Sequence, residues 1–78
     1  MIRTMSVTRY NPYAIYTAPP GTEILVRVID HKTFYITVHY VNVGDNIRAI
    51  TRTHVDDRVI SYTEEIISEI DIMYEAKL

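Results

Sequence analysis

The chain has no cysteine and no tryptophan, only two glycines and only three prolines. Without thiols there is no disulfide framework, no thiolate zinc site and no sulfur nucleophile, so the fold must stand without covalent staples, as in a reducing cytoplasm. So little Gly and Pro excludes a linker-like composition, and no sequence period repeats. Apolar runs reach only a few residues, far short of the roughly 20 that a membrane span needs. The opening Met1-Ile2-Arg3-Thr4-Met5-Ser6 lacks the apolar stretch of a secretory signal. What is present is 78 residues, 47% hydrophobic and 23% charged. That composition supports one cytoplasmic domain with a small core and leaves little material for a deep substrate cleft.

The net charge of −2 conceals an asymmetry. Residues 1–55 carry six basic side chains against three acids, whereas residues 56–78 carry Arg58 and Lys77 against Asp56, Asp57, Glu64, Glu65, Glu69, Asp71 and Glu75. Charge separated along a chain in this way bears on its partners rather than on its fold.

The middle of the chain alternates with period 2 in β-branched and aromatic runs, which predicts strands at 23–29, 34–43 and 47–54. Between the last two, Gly44-Asp45 fits the two-residue loop of a type II′ hairpin and sets a register in which Asn42 faces Ile47, Tyr40 faces Ala49 and Val38 faces Thr51. One face is then apolar through Ile36, Val38, Tyr40, Ile47 and Ala49, joined by Ile24, Val26 and Val28 of the first strand. The other carries Arg27, Tyr35, His39, Arg48, Arg52 and His54. From Ser61 the period changes to 3.6, and Ser61-Tyr62-Thr63-Glu64 has capping-box spacing, so a helix is predicted over 61–77. Ile66, Ile67, Ile70, Met73 and Tyr74 share its apolar stripe, and Ile72 projects among the acids. Residues 1–22, punctuated by Asn11-Pro12 and Pro19-Pro20-Gly21, read as an extended arm with a short edge strand near Met5–Tyr10.

The expected fold is therefore α+β: a three-stranded antiparallel meander, with an N-terminal fourth edge strand as an option, covered on one face by a C-terminal helix. Two surfaces of this fold carry functional expectations. An exposed Ile72 ringed by Glu65, Glu69 and Glu75, with Asp56, Asp57, Glu64 and Asp71 nearby, has the layout of an apolar anchor with a charged rim. Such a surface complements a basic, nucleic-acid-binding patch on another protein. The rival surface is the sheet face of Arg27, Tyr35, His39, Arg48 and Arg52, which has the composition of a nucleic-acid-binding module, although the chain as a whole is acidic. A homodimer through Ile72 or an edge strand is a third option.

Nothing predicts catalysis or a cofactor. His54-x-Asp56-Asp57 lacks a metal-ligand spacing, and there is no Gly-rich phosphate loop or nucleophile elbow.

In its shortness, its lack of Cys, its Ile- and Tyr-rich make-up and the acidic segment from Asp56 to Glu75, the chain resembles the small phage-encoded host-takeover proteins, anti-CRISPRs and DNA mimics among them. The resemblance implies a non-enzymatic inhibitor that docks on a basic surface of a host protein. A three-stranded sheet followed by a helix also looks like the integrase-type and AP2-type DNA-binding domains, which are basic where this chain is not.

Overall fold

The computed structural model describes residues 5–78, so the first part of the N-terminal arm lies outside the described residues. Five strands, β1 (Met5–Arg9), β2 (Glu23–His31), β3 (Tyr35–Asn42), β4 (Ile47–Val55) and β5 (Arg58–Ile67), form an antiparallel sheet in the order β1-β2-β3-β4-β5. A 3₁₀ turn (Pro12–Tyr16) joins β1 to β2, and one helix, α1 (Glu69–Lys77), ends the chain. The three-stranded meander expected from the sequence is thus corrected to a five-stranded sheet. β1 lies in the arm where an edge strand was one option. β5 occupies residues expected to be helical.

The turns explain why neighbouring strands pair. Gly44 adopts φ +97° and accepts the sharp reversal between β3 and β4, where the Val43 N–H donates to the Asn46 carbonyl (3.0 Å). The register on either side pairs Asn42 with Ile47, Tyr40 with Ala49 and Val38 with Thr51. Asp56 and Asp57 both have positive φ, 50° and 63°. Val55 pairs with Arg58 across them, so these two acids form a two-residue hairpin loop of the I′ kind rather than an approach to a helix. Beyond the loop and a bulge at Ile60, where the register shifts opposite Thr53 and His54, Ser61, Thr63, Glu65 and Ile67 alternate with Tyr62, Glu64 and Ile66 with the period of a strand.

The sheet's bulge in β2 moves side chains between faces. The register shifts between Leu25 and Arg27, which gives Val26 and Arg27 to the same face. Val26 is buried in the core, and Arg27 reaches Glu75 of α1. The even alternation expected for this strand is broken, and Arg27 leaves the face that holds Arg48 and Arg52.

The main core cluster is Ile15, Val26, Val38, Tyr40, Ala49 and Ile72, and Val41 and Ile50 are buried on the other face of the sheet. Ile15 comes from the 3₁₀ turn, whose N-cap Asn11 accepts from the Tyr13 N–H (3.0 Å) and whose Pro12 fits the first helical position. The turn and α1 together form the cover on one face of the sheet. Helix α1 is capped by Ser68: the Asp71 N–H donates to Ser68 Oγ (3.4 Å) and the Ser68 N–H donates to Asp71 Oδ2 (2.8 Å). The reciprocal cap therefore sits seven residues after the expected Ser61. This later start sets a different rotational phase. Ile72 is 0% exposed and packs in the core, and Glu75 points inward beside it, while Ile70, Met73 and Tyr74 face out.

Candidate interaction surface

Of the acids expected to form a binding surface, several serve the fold. Glu75 is 9% exposed and lies between two arginines: Arg9 Nη1 donates to Glu75 Oε2 (3.0 Å), and Arg27 Nη1 is 3.5 Å from Oε1. Burying a carboxylate is costly unless it is paired, and two guanidinium groups satisfy that requirement while tying β1 and β2 to α1. Glu64 accepts from Arg48 Nη1 (2.9 Å) and from the Tyr62 hydroxyl. Those two donors hold its carboxyl below the ordinary value of 4.5. Asp56 and Asp57 are the hairpin loop, and Asp71 caps α1. Ile72, expected as an exposed anchor, is a core residue. Glu65 and Glu69 remain exposed, with no ion pair among the described residues.

The rival basic face is internally neutralised. Arg52 donates two bonds to Glu23, at 2.9 and 3.1 Å, and this pairing keeps the Glu23 carboxyl below 4.5 against the opposing effect of burial. Arg52 also lies 3.3 Å from His39 Nδ1. Burial pushes the His39 imidazole below its ordinary 6.5, which weakens any positive charge it could add to this face. Two arginines, Arg48 and Arg52, thus meet two carboxylates, Glu64 and Glu23. Tyr35 stacks flat on His54 with centroids 4.4 Å apart, and Thr37 Oγ1 is hydrogen-bonded to His54 Nε2 (2.9 Å). Tyr35 therefore has one ring face covered. With Arg27 on the opposite side of the sheet, the five residues of that reading do not form one basic surface.

Sequence reasoning missed a different surface. The stripe of α1 predicted to face inward is the stripe that faces out: Ile70 is 76% exposed and Tyr74 66%, and Met73 and Leu78 are also exposed. β5, the last strand of the sheet, is exposed at every residue except Ile67, but its Ile66 pairs with Arg48 on the face opposite α1 and does not extend that stripe. Ile60 and Ile66 are 61% and 62% exposed. Between α1 and the sheet lies an open concavity of about 300 Å³ whose walls include Arg27, Tyr40, Thr51, Glu65, Tyr74 and Glu75. Burial of Tyr40, reinforced by the nearby Glu75 charge, raises its phenol to about 12. Scattered exposed hydrophobes are ordinary, but a run of them along one helix stripe is the layout of an association surface. The signal available in the sequence was the Ser68-x-x-Asp71 cap, which fixes the phase of α1.

Among the described residues no group of three or more His, Asp or Glu side chains gathers as a metal site, and no helix is long and apolar enough to cross a membrane. No family model, curated protein or solved structure matches the chain.

Proposed function

We propose that the protein is a non-enzymatic interaction module that docks on another protein through the outward stripe of α1. The observation that carries this reading is the inverted helix: Ile70, Met73 and Tyr74 stand in solvent while α1 is held to the sheet by Ile72 and the Glu75 ion pairs. A helix anchored by its other side is a rigid platform, and presenting apolar anchors on a preorganised element keeps the entropic cost of binding low. Glu69 lies in the first turn of α1 and Glu65 on the preceding strand, and both are exposed. This acidic rim favours a partner whose apolar groove is edged by Lys or Arg. The expectation of a basic partner surface is thereby kept in a narrower form, with Ile70 and Tyr74 as anchors in place of Ile72, and the inhibitor role of DNA-mimic type is one way to use it.

Replacing Ile70 by Glu together with Tyr74 by Ser tests the reading. Ile70 and Tyr74 are 76% and 66% exposed, so the melting temperature should hold. Loss of two central anchors should weaken capture of the natural partner from nuclease-treated lysate by about 2 kcal/mol or more, roughly thirtyfold in affinity. Unchanged capture removes α1 from the binding surface. A gel shift at low salt that survives the double substitution and disappears with Arg48→Ala and Arg52→Ala would favour the sheet face instead.

A further inference from the structure

The concavity between α1 and the sheet holds carboxylates that the chain does not neutralise. Glu65 of β5 pairs with the core residue Ala49, so it is carried on the side of the sheet that α1 covers. Asp71 and Glu75 enter from α1. Arg9 and Arg27 both meet Glu75, whereas Glu65 and Asp71 have no ion pair among the described residues. The Ser68 N–H and hydroxyl both donate to Asp71 Oδ2, which leaves Oδ1 free.

Exposed acids alone are solvated surface. What marks these as part of a site is Tyr40, which is 4% exposed and lines the concavity. Its hydroxyl makes no hydrogen bond among the described residues. Burial raises this phenol, and the charges of Glu75 and Asp71 add to the effect while Arg27 opposes it, so the hydroxyl lies among the charged groups of the concavity. A phenol buried to this degree ordinarily has a partner for its polar end. Arg27 Nε also lacks one, but it is covered by protein atoms and out of a ligand's reach.

We propose that the concavity is a guanidinium site that receives an arginine side chain of the partner. That the guanidinium comes from a protein rests on the docking reading above; the chemistry of the site does not. The free acceptors, the Tyr40 hydroxyl, Glu65 and Asp71 Oδ1, come from β3, β5 and α1. Acceptors spread over three elements suit a planar group with five donors better than the compact ammonium of lysine. Val38, Ala49 and Ile67 line the same space and give the methylenes of the incoming side chain an apolar surface, and the exposed Tyr74 adds a ring beside which a cation is stabilised. A volume of about 300 Å³ is at the lower end for ligand sites, so it accommodates one side chain rather than a nucleotide-sized molecule. An anion would meet Glu65 and Asp71, neither of which has a cation to offset it.

Titration of the isotope-labelled full chain with n-butylguanidinium at constant ionic strength, followed by amide NMR, tests the proposal. Saturable shifts should centre on Ala49, Glu65 and Asp71, with a dissociation constant of about 1–10 mM for a ligand of so few atoms. n-Butylammonium should bind about threefold more weakly or worse, and butyrate should cause no saturable shift. Glu65→Gln and Tyr40→Phe should each weaken butylguanidinium about threefold. Both should keep the melting temperature at neutral pH, since one alters an exposed side chain and the other removes a hydroxyl with no partner in the fold. The proposal is overturned by the absence of saturable shifts, by n-butylammonium binding as tightly, or by undiminished binding in Glu65→Gln. The titration contains no partner protein, so the α1 reading, tested by capture with Ile70→Glu and Tyr74→Ser, can fail while the guanidinium site stands, and the reverse.

Discussion

The inward turn of Glu75 makes a stability prediction that runs opposite to a binding-surface role. Glu75→Gln keeps the shape of the side chain and removes the charge that faces Arg9 at 3.0 Å and Arg27 at 3.5 Å. A charge-assisted hydrogen bond is worth about 1.5–3 kcal/mol. Breaking a fully buried pair costs about 3–5 kcal/mol. Here the carboxylate is buried, but the Arg9 and Arg27 side chains are 36% and 27% exposed, so apart from the buried Arg27 Nε their charge stays in reach of water after the change. The lower range therefore applies, and the expected loss is about 2 kcal/mol. For a domain of this size that lowers the melting temperature by about 8–16 °C, a substantial share of a total stability of about 4–12 kcal/mol. Urea unfolding followed by circular dichroism measures the difference. A double-mutant cycle with Arg9→Met should return a coupling of about 1 kcal/mol, because the two side chains touch. A loss under 0.5 kcal/mol, the size expected for a substitution on an uninvolved surface, would show that Glu75 does not hold α1 to the sheet.

Two further outcomes follow from local geometry. The Tyr40 phenol is raised from 10.0 to about 12 by burial and by the Glu75 charge. The unfolded chain therefore releases that proton first, and the Tyr40 contribution is full below pH 10 and lost as pH rises towards 12. Chemical denaturation across this window should show a fall in stability that is absent in Tyr40→Phe, and an identical fall in both proteins would refute the assignment. Asp57 holds φ 63° in the β4–β5 loop, a conformation that glycine adopts without steric cost, so Asp57→Gly should raise the urea midpoint by the equivalent of about 0.5–1 kcal/mol, and a lowered midpoint would count against the I′ loop.

The parts of the fold that are legible in the sequence are those whose determinants are local. Val38, Tyr40 and Ala49 alternate inward on strands joined by Gly44-Asp45, and a two-residue loop fixes the register of everything beside it. β5 is not legible in the same way, because Ile66, Ile67, Ile70, Met73 and Tyr74 satisfy a helical period by coincidence although a strand ends between Ile67 and Ser68. Ser61 and Thr63 also look like caps, yet they belong to a strand whose exposed faces carry polar and apolar residues alike. Two other features depend on partners far along the chain. The β2 bulge that turns Arg27 towards the helix, and the pairing of Arg9 with Glu75 across 66 positions, have no signature in any short window. The candidate site depends on the same long-range pairings. Acids that are adjacent in sequence look like one surface, and no short window shows that Arg9, Arg27 and Arg48 neutralise Glu75 and Glu64.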